Sequence, residues 1–156
     1  MTKTPLHWIY LTTLILQAVI IVWNLVWAIP DVAIRLGLWP FEQDMGLRQL
    51  IPSIPLWQEG VFFTAIALMI AAFVQTLRHS SLALPLFLAA MLLDRLDWII
   101  LSFSPEDGHG IPGKNIRDLI VLTIEMTSLA AMGFLSVHGT LRSPKWLRDL
   151  ITRLLT

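Results

Sequence analysis

The sequence predicts an all-α integral membrane protein, a four-helix bundle followed by a C-terminal amphipathic helix on the bilayer interface. Three observations lead there. Hydrophobic residues fill 56% of the 156 positions and charged ones only 14%, too few to clothe a water-facing surface of this size. Four apolar stretches reach the length, about 20 residues, that a helix needs to cross a hydrocarbon core. Lysine and arginine gather at one set of ends of those stretches.

The first span covers residues 7–29. It is too long for a secretory leader, and no small-x-small cleavage pattern precedes Pro30 and Asp31. The others cover 57–79, 82–104 and 118–138, and the whole chain reads as one transmembrane domain. Each must be helical, because lipid offers no partner to an open backbone. Lys3, Arg78 and the run Arg142, Lys145, Arg148 and Arg153 place both termini and the short turn near residue 80 in the cytoplasm, the arrangement of a bacterial inner-membrane protein.

The connections differ in character. Residues 104–113 are rich in glycine and proline and read as a polar loop. Residues 30–55 form a longer, oddly apolar segment, suited either to a linker or to a lid folded over the bundle. Over 143–156, Ser143 and Pro144 supply a helix start. Trp146, Leu147, Leu150, Ile151, Leu154 and Leu155 then share a face opposite Lys145, Arg148, Asp149 and Arg153, an interfacial pattern.

Balanced charge, with 11 basic and 11 acidic residues, excludes an electrostatic nucleic-acid partner. The absence of cysteine excludes disulfides, thiolate metal sites and thioether-bound haem. His7, His79 and His138 sit at one level but lack ligand spacing to a neighbour, so neither a metal nor a cofactor is expected.

Chemistry is sought where ionisable groups lie at membrane depth, since each is costly there. At 100° per residue, Asp94, Asp97 and Trp98 share a face of the third span with Phe87, Ala90 and Met91, while Arg95 points to one side. Glu125 and Ser128 line up with Asp118, Met132 and Ser136 on the fourth span. Tyr10, Thr13, Gln17, Asn24 and Trp27 form a stripe on the first, with Trp23 beside it. On the second, Thr64, Ala67, Ala71 and Gln75 align as the surface expected to allow close helix approach. Glu59 and Asp118 sit in first turns, where carboxylates favour the helix dipole.

These stripes predict one pocket toward the outer half of the bundle. Asp97, Glu125, Asp94 and Arg95 are its candidate catalytic set, and Asn24, Trp23, Trp27, Trp98, Ser128 and Gln17 its candidate ligand contacts. Asp94, Asp97 and Glu125 set three carboxylates against one arginine, a deficit met either by a retained proton or by a bound cation, with tryptophan faces available for cation–π contact.

The leading expectation is a site for a small lipophilic, hydroxylated or cationic molecule. Acid–base chemistry of the isomerase, cyclase or hydrolase type is its enzymatic form. The alternatives are a proton- or cation-coupled transporter, working as a homodimer, and an accessory subunit of a larger membrane complex whose buried charges are assembly staples. No nucleotide loop, zinc-protease helix or serine elbow is visible. The layout resembles sterol-isomerase-like membrane domains in architecture alone, with no shared motif.

Overall fold

The computed structural model describes residues 5–40, 45–102 and 116–144. Their regular structure is helical, in the order α1 (Pro5–Arg35), α2 (Met45–Ser53), α3 (Leu56–Leu77), α4 (Ala83–Ser102) and α5 (Ile116–Val137). The amphipathic tail and the polar loop expected from the sequence lie outside the described residues, apart from Ser143 and Pro144 of the tail.

Among the described residues three helices are long and apolar enough to cross a membrane: α1, α3 and α5, the last counted over Leu119–Val137. α4 has 20 residues, but Asp94, Arg95 and Asp97 set it apart from the other three. Its neighbours explain how it holds those charges. The most extensive packing in the molecule joins α3 to α4; α1 packs on α5 and on α3, and α4 meets α5 more thinly. α1 and α4 therefore lie across the core from each other, as do α3 and α5.

All four run antiparallel to their neighbours. The turn between α3 and α4 spans only a few residues, and it is tied to the chain after α5: Ser81 N–H donates to the Arg142 carbonyl (3.0 Å) and Arg142 N–H to that of His79 (2.7 Å). At this closed end the ring of Tyr10, from the start of α1, stacks on His79. The opposite end gathers the close of α1, all of α2 and the start of α3.

Three helix ends are set by the same device. Gly37, His79 and Gly139 have φ of 69°, 53° and 72°. After each, an N–H reaches back five residues: Leu38 to Ala33, Ser80 to Gln75 and Thr140 to Leu135. This is the Schellman termination, which satisfies carbonyls that the helix leaves open and favours glycine at the left-handed position. α3 uses a histidine there instead.

α1 runs through Pro30 to Arg35, six residues beyond the expected end of the first span. Its 31 residues measure about 46 Å, longer than the about 30 Å that crossing a hydrocarbon core requires. Proline costs one intrahelical bond, a loss that neighbouring helices can offset. Of the segment 30–55, the described residues hold the close of α1 and the short helix α2.

Burial is reversed relative to a water-soluble protein. The buried residues of α1 are Thr13, Gln17, Ile20, Asn24, Ala28, Pro30 and Asp31, four of the seven polar. Its exposed positions include Ile15, Val19, Val22, Leu25, Val26, Ile29 and Val32. Such a distribution suits surroundings that are themselves apolar. Among the described residues the apolar core is small: Ile20, Met69, Ala72, Ala83, Phe87, Ala90, Met132, Leu135 and Leu141. Ala72, Ala83 and Ala90 are fully buried and let α3 and α4 approach closely. On α3 the buried face is therefore Ala65, Met69, Ala72 and Thr76, not the expected stripe, in which Thr64 and Ala67 are exposed.

Candidate functional site

α4 and α5 meet through one arginine. Arg95 Nη2 donates to Asp94 Oδ2 at 2.6 Å and to Glu125 Oε1 at 3.2 Å. Its Nε lies 3.2 Å from Glu125 Oε2, close enough for an ion pair but without the alignment of a hydrogen bond. The carboxylates are 2% and 0% exposed as residues, so the guanidinium compensates two charges removed from solvent. Asp94 and Arg95, adjacent in sequence, project at 100° to one another, which lets the aspartate face the core while the arginine reaches sideways to α5.

A second arginine organises the open end. Arg35 Nη2 donates to the carbonyls of Ile51 (2.8 Å), in the last turn of α2, and Ile54 (2.9 Å), just beyond it; the Ile51 carbonyl also accepts the Ile54 N–H at 3.2 Å. The same group forms an ion pair with Glu59 of α3, and Nε lies 3.6 Å from Asp31, one turn back on α1. α2 is thereby fastened to the end of α1, and the same guanidinium links that end to α3. Ile51, 5% exposed, supplies the apolar part of the contact.

Asp97 lies between the two clusters. It is half-buried, bonded to the side chain of Gln58 and within electrostatic reach of both Asp94 and Asp31. Among the described residues it has no ion-pair partner. The sequence therefore spreads five carboxylates (Asp31, Glu59, Asp94, Asp97 and Glu125) over α1, α3, α4 and α5 against two guanidiniums, Arg35 and Arg95.

The expected site residues divide accordingly. Asp94, Arg95 and Glu125 come together, and Asp97 stands one turn toward the open end, beside Gln58. Asn24 is buried and donates to the Ile20 carbonyl at 3.0 Å and to Met69 Sδ at 3.5 Å. Gln17 is buried one turn past Thr13 and donates to Met132 Sδ at 2.9 Å, leaving its Oε1 without a hydrogen-bond partner. Ser128, fully buried one turn below Glu125, likewise has a partnerless Oγ, as Asp94 has a partnerless Oδ1. Trp23 and Trp98 are half-buried, whereas Trp27 is 41% exposed and meets Trp23 edge-on. Asp118 falls in the first turn of α5, but its side chain lies outside the described residues.

Asp31, Arg35, Gln58 and Glu59 were not among the expected site residues. Asp31 and Arg35 are spaced i, i+4, the spacing of a helical ion pair, and that spacing could have carried α1 past Pro30. Glu59 does occupy a first turn, as the sequence suggests, but its partner is Arg35.

The histidines occupy separate settings: His79 against Tyr10, and His138 packed on Phe134 with Nδ1 2.9 Å from that residue's carbonyl. Among the described residues no three His, Asp or Glu side chains are grouped to hold a metal ion. Comparison with protein-family models, curated proteins and solved structures finds no match to this chain.

Proposed function

We propose that the chain is a four-span membrane protein whose interior acidic site binds a small lipophilic molecule carrying a cationic or hydroxyl group. One observation carries this reading: carboxylates exceed guanidiniums by five to two in one connected group, and Asp97 stands outside both arginine clusters. An assembly staple accounts for Arg95 with Asp94 and Glu125. It does not account for Asp97, whose partner is a neutral amide.

In this reading α4 is the fourth span, carried across by α3 and α5, which shield its charges. Asp97 and Glu125 take the polar head of the molecule, and Asp94 with Arg95 fixes Glu125 in place. Trp98, next to Asp97, and Trp23, near Asn24, offer ring faces to a cation. The apolar remainder of the ligand lies along the helix surfaces. Glu125 is bound to a guanidinium and Asp97 is not, so the two carboxyls are electrostatically unequal. That inequality is the condition for dividing acid and base roles in an isomerisation, cyclisation or hydration.

The test uses the purified full chain in lipid nanodiscs, titrated with dodecylamine and, in parallel, with uncharged dodecanol, reading tryptophan fluorescence. Asp97→Asn is expected to weaken the amine response at least tenfold and to leave the alcohol response unchanged. Equal affinities for the amine in wild type and variant would overturn the assignment.

A further inference from the structure

The polar residues of the interior do not stop at the acidic site. Along the buried face of α1 they continue as Thr13, Gln17, Asn24 and Asp31, and end at the exposed Arg35. From Thr13 to Arg35 is 22 residues, about 33 Å of helix, which matches the thickness of a hydrocarbon core. Every neighbouring helix adds to the line. From the open end it passes Glu59 and Asp31, then Asp97 with Gln58, then Asp94, Arg95 and Glu125. Ser128 follows one turn along α5, and Met132 one turn further. Thr76 Oγ1 lies 3.9 Å from the Met132 sulfur. The Tyr10 hydroxyl lies 3.4 Å from the Thr76 carbonyl, and the Tyr10 ring rests on His79 at the closed end.

Packing alone does not call for such a line. A bundle is held as well by alanine and leucine, and each buried polar atom without a partner costs about 1–3 kcal/mol. Among the described residues of this line, three such atoms have neither a hydrogen bond nor an ion pair: Asp94 Oδ1, Ser128 Oγ and Gln17 Oε1, on side chains at least 98% buried as residues. The last two occupy the stretch between Glu125 and the closed end, where carboxylates are absent. They are the lone pairs that a passing proton or its carrier water would use.

We propose that this seam conducts protons between the two faces of the membrane, with Glu125 as the mid-depth acceptor and the Gln17–Met132 contact as the closed point. Only a proton moves. One O–H bond breaks as the next forms, from water at one face, through the carboxyls and Glu125, to water at the other, with no change in oxidation state. A thioether sulfur is a poor proton carrier, and Gln17 spends one of its two amide N–H donors on it. Turning that amide off the sulfur would let a carrier water bridge Ser128 to Thr76, so transfer proceeds in steps and not as an open pore.

This inference is independent of the ligand reading, and the assay adds no amine. Purified protein in phosphatidylcholine vesicles is given a potassium diffusion potential with valinomycin, and proton entry is read from a trapped pH dye. Wild type is expected to exceed protein-free vesicles at least tenfold. Gln17→Leu, which leaves the Arg95 contacts intact, and Glu125→Gln should each return the rate to the protein-free level. Thr64→Ala, on the exposed face of α3, should conduct as wild type. A wild-type rate no higher than that of bare lipid, or a full rate in monodisperse Gln17→Leu or Glu125→Gln, would overturn it.

Discussion

Replacing Arg95 by methionine removes the one positive charge between Asp94 and Glu125 while keeping most of the side-chain volume. At an effective dielectric of about 20, unit charges 3.2 Å apart, the separation of Arg95 Nε and Glu125 Oε2, attract by about 5 kcal/mol. Much of that gain is offset by desolvation, so the contact adds little net stability over an apolar pair of similar shape. The cost of the single substitution comes instead from what remains. Asp94 and Glu125, with side chains 3% and 0% exposed, are left without a counter-charge. Breaking a buried pair in this way costs about 3–5 kcal/mol. The guanidinium itself is 22% exposed, which places the expected loss at the lower end, about 3 kcal/mol. Adding Asp94→Leu and Glu125→Met to the same chain should recover most of it. Reversible unfolding in mixed micelles, read by circular dichroism, measures both. A single Arg95→Met variant within 0.5 kcal/mol of wild type would refute the claim that this guanidinium compensates the two acids.

Three further outcomes follow from named contacts. Arg35→Ala removes the donor to the Ile51 and Ile54 carbonyls and the partner of Glu59, so cleavage within 45–53 by a protease should accelerate several-fold; an unchanged rate would show that apolar packing alone holds α2. Ala72→Leu inserts three carbons at a fully buried core position of α3 and should destabilise by about 1–3 kcal/mol, whereas Ala67→Leu on the exposed face should shift unfolding by less than about 0.5 kcal/mol. His79→Gly relieves a left-handed non-glycine residue but gives up its ring contact with Tyr10, so unfolding measurements should show a net change below about 1 kcal/mol, and a loss beyond about 2 kcal/mol would mean that the ring contact dominates.

The parts legible in the sequence are those fixed by helical periodicity. Phe87, Ala90, Met91 and Asp94 share a buried face of α4, as their spacing implies, and Thr13, Gln17 and Asn24 do so on α1. The meeting of Arg95 with Glu125 was foreseeable on cost, since neither could face lipid alone. Two things were not legible. The rotation of α3 places Ala65, Ala72 and Thr76 inward, and a helix that is apolar on all sides carries little signal to tell its faces apart. The continuation of α1 was hidden by Pro30, which punctuates a soluble helix but is tolerated where other helices surround it. The i, i+4 pair of Asp31 and Arg35 lies beyond that proline. Sequence alone therefore puts Asp31 and Arg35 in the connection and only Glu59 on a helix.

That cluster changes how the interior charge is understood. Counted on α4 and α5 alone, the deficit is two: Asp94, Asp97 and Glu125 against Arg95. Adding Asp31, Glu59 and Arg35 raises it to three and moves it, since the two arginine clusters lie on either side of Asp97. A positive group entering the bundle therefore meets its strongest unbalanced field at Asp97, not at Glu125. Each arginine repels it from the site that arginine already neutralises. The Ile51 and Ile54 carbonyls that bind Arg35 hold one end of this field in place, so loosening α2 should let Arg35 swing away and deepen the deficit beside Asp97. On that argument Arg35→Ala should tighten dodecylamine binding several-fold while destabilising the open end. Weaker binding in that variant would mean that Arg35 shapes the site more than it opposes the ligand's charge.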